Sequence, residues 1–92
     1  EPTGGVLLES YACRVPIVAA KAGGIPEVVV DNETGLLAEV GNPISFADKV
    51  EQMMNDKQLQ EKCITNGYQY LIDNFTKEVI ARKMFDELNQ VI

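Results

Sequence analysis

Glu1-Pro2-Thr3-Gly4-Gly5-Val6-Leu7-Leu8-Glu9 is the stretch that decides how this chain is read. Two carboxylates bracket a Gly-Gly pair, with 7 residues between them. The apolar run from Val6 to about Cys13 reads as a buried helix, with Glu9 and Ser10 its polar exceptions. Thr3-Gly4-Gly5 reads as the turn that delivers the chain to it. A helix N-terminus presents unpaired backbone N–H groups and a partial positive charge, so it favours anions, phosphate first among them. Carboxylates beside a phosphate site need a different partner. Sugar hydroxyls fit, because ionised carboxylates accept their hydrogen bonds. The stretch alone points to a phosphorylated sugar or a nucleotide.

Outward from this stretch, Pro16 ends the first helix and opens an apolar run at 17–20. Such a run suits a parallel strand covered on both faces. Ala22-Gly23-Gly24 follows as a loop, and Pro26 starts a short helix through Val29. Asp31-Asn32-Glu33-Thr34-Gly35 is a turn, and 36–40 a second strand. Asn42-Pro43 reads as N-cap and first position of a helix whose buried face carries Phe46, Val50, Met53 and Met54. Asp56 caps the next helix, with Leu59, Cys63, Gly67, Tyr70 and Leu71 on its apolar face; Gly67 weakens it or marks a close contact. Thr76 caps a last helix, with Phe75 and Ile80 as a hydrophobic staple and a stripe of Ile80, Met84, Leu88 and Val91. The fold class expected is α/β: part of a Rossmann-like domain with short parallel strands, followed by a helical tail.

Composition narrows the class. Ninety-two residues make one small domain at most. The net charge of −6, from 14 acids and 8 bases, argues against nucleic acid and against a polybasic membrane patch. Without His or C-x-x-C spacing no metal is expected. Cys13 and Cys63 read as reduced, largely buried thiols, which fits a cytoplasmic setting. Asn32-Glu33-Thr34 and Asn74-Phe75-Thr76 match the glycosylation pattern and are read as chance matches. The chain, with no initiator Met, is read as a piece of a longer protein.

Four spaced elements then agree with one family: the opening Glu-x7-Glu stretch, Ala12-Cys13-Arg14-Val15-Pro16-Ile17-Val18-Ala19, Gly23-Gly24-Ile25-Pro26-Glu27-Val28-Val29, and Thr34-Gly35-Leu36-Leu37. In that order the chain resembles the C-terminal, donor-binding domain of retaining GT-B glycosyltransferases of group 1, glycosyltransferase family 4. The resemblance covers nearly the whole chain. It implies that residues 1–92 are the C-terminal part of a nucleotide-sugar-binding domain, whose first strands and partner domain lie upstream. It also implies a tail, from about residue 76, that crosses back to the partner domain.

The resemblance implies roles residue by residue. Glu9 accepts hydrogen bonds from ribose hydroxyls, as the acid of a Rossmann site does. The plainer alternative is an exposed helix residue, but Glu9 is flanked by Leu8 and Tyr11-Ala12. Glu1 faces the donor sugar and stabilises positive charge developing on its ring, the catalytic assignment. By itself Glu1 would pass for a solvated residue before a proline. Backbone amides of Thr3, Gly4, Gly5 and Val6 meet the sugar hydroxyls or the diphosphate; alone, a Gly-Gly pair is an ordinary turn. Thr3 and Gly5 depart from the family's usual aromatic or Ser and larger apolar residue, which leaves the donor sugar open. Arg14 replaces a common Gly and reads as a solvated cation at a helix end. Gly23-Gly24 lies beyond a strand's carboxyl end, where ligands bind in open sheets; a bare turn is equally consistent. Glu27 is read as structural.

Three functions remain open from sequence. The first is a glycosyltransferase moving sugar from a nucleoside-diphosphate donor, its substrate rather than a cofactor, to a glycan, lipid or other sugar acceptor. It is placed in the cytoplasm, or at the cytoplasmic face of a membrane reached through other regions. The second is a nucleotide-sugar epimerase of the same architecture, which tends to carry His here. The third is a non-catalytic module that self-associates through an open sheet edge. The 92-residue chain alone is expected to be inactive, since the resemblance implies that the cationic clamp a leaving diphosphate needs lies upstream of it.

Overall fold

The computed structural model describes residues 2–75, with the backbone alone at 2–4, and residues 77, 78, 81, 82 and 85 beyond them. The order is α1 (Pro2–Ala12), β1 (Val18–Ala20), α2 (Ile25–Val28), β2 (Leu36–Ala38), α3 (Pro43–Asn55) and α4 (Lys57–Asn74). The Thr76 cap, the Phe75–Ile80 staple and the Ile80, Met84, Leu88 and Val91 stripe lie outside the described residues.

The strands are parallel and in register: Val18 beside Leu36, Ala19 beside Leu37, Ala20 beside Ala38. Leu36 N–H donates to the Ile17 carbonyl, and Lys21 N–H to the Ala38 carbonyl, extending the ladder at both ends. Side chains alternate across a strand, and β2 shows it. Leu37 enters a cluster with Leu7, Leu8 and Tyr11 of α1, and with Ile17, Val29 and Leu71. Leu36 enters a second cluster with Met53 of α3 and Leu59 and Cys63 of α4. The sheet is therefore a layer between α1 and α3. α4 reaches both sides, with Leu59 and Cys63 in one cluster and Leu71 in the other.

The two N-caps expected at Asn42 and Asp56 are present. Asn42 accepts the Ser45 N–H at 3.0 Å and Asp56 accepts the Leu59 N–H at 3.0 Å, each relieving an unpaired donor of the first turn. In the 31–35 turn Asn32 adopts φ 65°, and Asp31 Oδ1 accepts the Leu37 N–H.

Four expectations are corrected. Gly4 and Gly5 are not a turn: α1 already runs from Pro2, so the pair sits in its first turns. Pro has the φ of a helix start, and the packing of Leu7, Leu8 and Tyr11 outweighs the glycines' poor propensity. β1 and β2 are shorter than 17–20 and 36–40, and only β2 is buried throughout; β1 is half-buried. Cys13 is exposed rather than buried, because it falls just past the end of α1. On α3 only Met53 is buried, while Phe46 and Met54 are exposed. Met54 instead borders an open cleft of about 330 Å³ with Pro16, Val18, Val50, Met53 and Gln60. Periodicity gives the direction of an apolar face; what covers it depends on the layers packed there.

Candidate functional site

α1 carries every described candidate residue. Its buried stripe is Leu7, Leu8 and Tyr11, and Val6 is 54% exposed on the far side. Glu9 lies on the shoulder between them, half-buried. Toward the first turn the helix neighbours of Glu9 are Gly5 at i−4, which is buried, and the exposed Val6 at i−3. Among the described residues no side chain pairs with the Glu9 carboxylate.

The C-terminal end of α1 closes in a Schellman arrangement. Val15 N–H donates to the Ser10 carbonyl at 2.9 Å and Arg14 N–H to the Tyr11 carbonyl at 3.2 Å. That geometry needs a left-handed residue, and Arg14 takes φ 59°. Its guanidinium carbon lies 4.1 Å from the centre of the Tyr68 ring. Arg14 is thus a surface cation stacked on α4, at the opposite end of α1 from the first turn.

α1 passes into β1 through residues 13–17, so its C-terminus meets the strand's amino end and its first turn points to the carboxyl end. Ligands of open α/β sheets bind beyond that end. The connection after β1 is there too. Lys21, Gly23 and Gly24 are exposed, Gly23 has φ 53°, and a β-carbon on either glycine would meet nothing within 4 Å.

The structure brings Gly5, Val6 and Glu9 onto one helix with the Thr3 and Gly4 backbones. The first four N–H groups of a helix lack intrahelical acceptors. In a helix beginning at Pro2, which has no N–H, Thr3 and Gly4 supply such donors. The Val6 N–H is the first whose i−4 acceptor, the Pro2 carbonyl, lies within the helix. Glu1 lies outside the described residues.

Sequence reasoning missed the bolt that holds α1. Tyr11 is 2% exposed, and its hydroxyl lies 2.7 Å from the Val28 carbonyl and 2.9 Å from Thr34 Oγ1. One phenol proton cannot serve both. It donates to Val28, and the Thr34 hydroxyl donates back to the phenol oxygen while Oγ1 accepts the Val30 N–H. The ring meets Tyr70 edge-on, with centroids 5.7 Å apart. Burial pushes the Tyr11 phenol above its ordinary value, and the Thr34 hydrogen bond opposes that rise. A Tyr inside a buried helix stripe needs a partner for its hydroxyl, which was the available signal.

No group of three or more His, Cys, Asp or Glu side chains that could hold a metal occurs among the described residues. No described helix is long and apolar enough to cross a membrane.

Comparison with known proteins agrees with this architecture. The model of the family "Glycosyl transferases group 1" matches residues 1–70. The chain is 38% identical over 81 residues to the N-acetyl-alpha-D-glucosaminyl L-malate synthase of Bacillus anthracis, covering 88% of this chain and 21% of that protein. It is 37% identical over 84 residues to the D-inositol 3-phosphate glycosyltransferase of Corynebacterium diphtheriae, covering 91% and 19%. Among solved structures, Anabaena HepE in complex with UDP and glucose superposes with a TM-score of 0.75 at 28% identity, covering 95% of this chain and 24% of that one. The chain thus spans about a fifth of the curated relatives named here. The fold, the four spaced sequence elements and the family match converge: this chain belongs to the group 1 glycosyl transferases, the GT-B glycosyltransferases.

Proposed function

We propose that this chain is the donor-binding part of a retaining glycosyltransferase that uses a nucleoside-diphosphate sugar. The observation that carries the reading is the course of α1. A half-buried carboxylate, Glu9, stands on the same helix as a glycine-bearing first turn, with Gly5 between them. Seven residues of helix rise about 10 Å. That length accommodates ribose at Glu9, the diphosphate along the helix, and the sugar at the first turn. The complex of HepE with UDP and glucose supports a ligand of this class.

In this reading Glu9 accepts hydrogen bonds from the ribose hydroxyls, and the free amides of Thr3 and Gly4 face the sugar or the diphosphate, whereas the Val6 amide is taken up within the helix. Glu1 stands at the sugar and stabilises its oxocarbenium-like charge. The bond from the anomeric carbon to the diphosphate oxygen breaks, and the acceptor oxygen bonds to that carbon on the same face. The acceptor's proton ends on the diphosphate or in solvent. A leaving diphosphate needs fixed positive charge; Arg14 is committed to Tyr68 at the far end of α1, Lys21 lies exposed beyond the carboxyl end of β1, and the rest of the charge comes from elsewhere in the protein.

Calorimetric titration of the intact protein with UDP, GDP and ADP tests the site. Glu9→Ala is expected to weaken the preferred nucleotide by about 1.5–3 kcal/mol for each charged hydrogen bond lost. Unchanged affinity would reject the ribose role. Glu1→Gln is expected to leave nucleotide affinity intact while lowering turnover, and proton NMR is expected to show product with the donor's anomeric configuration.

A further inference from the structure

The geometry points to Tyr11 as a positioning residue for the donor site, acting through α1 and the segment that follows the Gly23–Gly24 loop. This rests on the donor-site reading above. Tyr11 lies two positions after Glu9 on α1, and its side chain enters the core on the neighbouring face. Its phenol donates to the carbonyl of Val28, the last residue of α2, at 2.7 Å. It is also 2.9 Å from Thr34 Oγ1, which receives the Val30 N–H. One side chain thus fixes α1, the end of α2 and the 31–35 turn to one another.

The attachment resists both rotation and sliding. The ring packs at the α-carbon of Gly67 and edge-on to Tyr70, both on α4. Turning α1 about its axis would carry the hydroxyl off Val28 and Thr34. Sliding it would drive the ring into the α4 backbone at Gly67. Glu9 and the first-turn amides belong to α1, whereas Gly23 and Gly24 precede α2. The apolar cluster shared by α1 and α2 holds them together, and the hydrogen bonds of one phenol set the angle at which they meet. An apolar ring of the same size would fill the core without setting that angle, since packing is less directional than a hydrogen bond.

The experiment uses the intact protein and four variants: Tyr11→Phe, Thr34→Val, Thr34→Ser and the Tyr11→Phe/Thr34→Val pair. Affinity for UDP, GDP and ADP is measured by calorimetry at a temperature where thermal melts show each variant folded. For the preferred nucleotide, Tyr11→Phe and Thr34→Val are each expected to weaken binding about threefold to tenfold. The pair is expected to bind no worse than the weaker single variant, because both break one network. Thr34→Ser, which keeps the hydroxyl, is expected to bind as wild type. A Tyr11→Phe protein with a lowered melting temperature and wild-type affinity overturns the proposal, because the phenol is then structural only. Equal loss in Thr34→Ser and Thr34→Val overturns it as well. A wild-type protein that binds none of the three nucleotides overturns the donor-site reading itself, an outcome distinct from the others.

Discussion

Gly67 on α4 faces the Tyr11 ring so closely that a β-carbon would stand 2.5 Å from Cδ1 and 2.8 Å from Cε1. Glycine is there so that two helices can meet, at the expense of helix propensity. Propensity alone favours Gly67→Ala by about 1 kcal/mol. Overpacking a core costs about 1–3 kcal/mol, and this ring is held by its hydroxyl and by Tyr70. The expected outcome is a net loss of about 1–2 kcal/mol by urea denaturation. Repeating Gly67→Ala in a Tyr11→Leu background is expected to reverse the sign. Stabilisation in the Tyr11 protein would show that the ring moves aside freely.

Arg14 holds a backbone conformation that suits glycine better. A left-handed L-residue costs about 1–2 kcal/mol, and φ here is 59°. Against that stands the stacking of Arg14 on Tyr68, worth about 0.5–1 kcal/mol at an exposed site. Arg14→Gly is therefore expected to raise stability by about 0.5–1 kcal/mol. Tyr68→Leu is expected to destabilise the Arg14 protein and to be neutral in the Arg14→Gly protein. Equal effects in both backgrounds would mean that the stacking contributes nothing.

These two positions show how far the sequence was legible. The caps of α3 and α4 could be read from Asn42-Pro43 and Asp56 because capping is decided within three residues. Gly67 was readable as a weak point or close contact, but its partner was not, since Tyr11 lies 56 residues away. The Tyr11–Thr34 hydrogen bond spans 23 residues and leaves no periodic signature. Gly4-Gly5 misled for the opposite reason. Local composition favoured a turn, and long-range packing of the Leu7, Leu8 and Tyr11 stripe set a helix. Glu9 stood out in the sequence because a carboxylate amid an apolar run is chemically conspicuous. Its place on the shoulder of α1 rather than in the core needed three dimensions.

Gly35 and Gly24 make a matched pair. A β-carbon at Gly35 would lie 2.9 Å from the Ile17 carbonyl oxygen and 2.9 Å from Val29 Cγ1. That carbonyl accepts the Leu36 N–H at the start of the sheet, so it cannot withdraw without breaking the ladder. Gly35→Ala is expected to lower stability by about 2 kcal/mol or more. Gly24 has φ −83° and open space where a β-carbon would go. Gly24→Ala is expected to be neutral, or stabilising by up to about 1 kcal/mol through the unfolded chain. Denaturant midpoints decide the matter; similar losses at both sites would contradict the packing at Gly35.

Alkaline pH is expected to lower the protein's stability through two buried groups. Burial raises the Cys63 thiol above its ordinary 9.0, outweighing the opposing effect of Lys62. Burial likewise raises the Tyr11 phenol above 10.0, against the Thr34 hydrogen bond. The acidic side chains that act on Cys63, Glu33 and Asp31, push it the same way, as Tyr70 and Cys63 do for Tyr11. Both groups hold their protons longer in the folded chain than in the unfolded one. Stability therefore falls with pH wherever the unfolded chain binds fewer protons. These contributions are complete below the unfolded values and are lost as pH rises through the folded ones. Urea midpoints are expected to be unaffected by these groups between pH 7 and about 8 and to decline above about 9, first through Cys63 and then through Tyr11. Cys63→Ala is expected to lower the midpoint at every pH, by cavity formation, and to flatten the first part of the decline. Tyr11→Phe is expected to flatten the second. A decline of unchanged steepness in both variants would place the alkaline transition elsewhere in the chain.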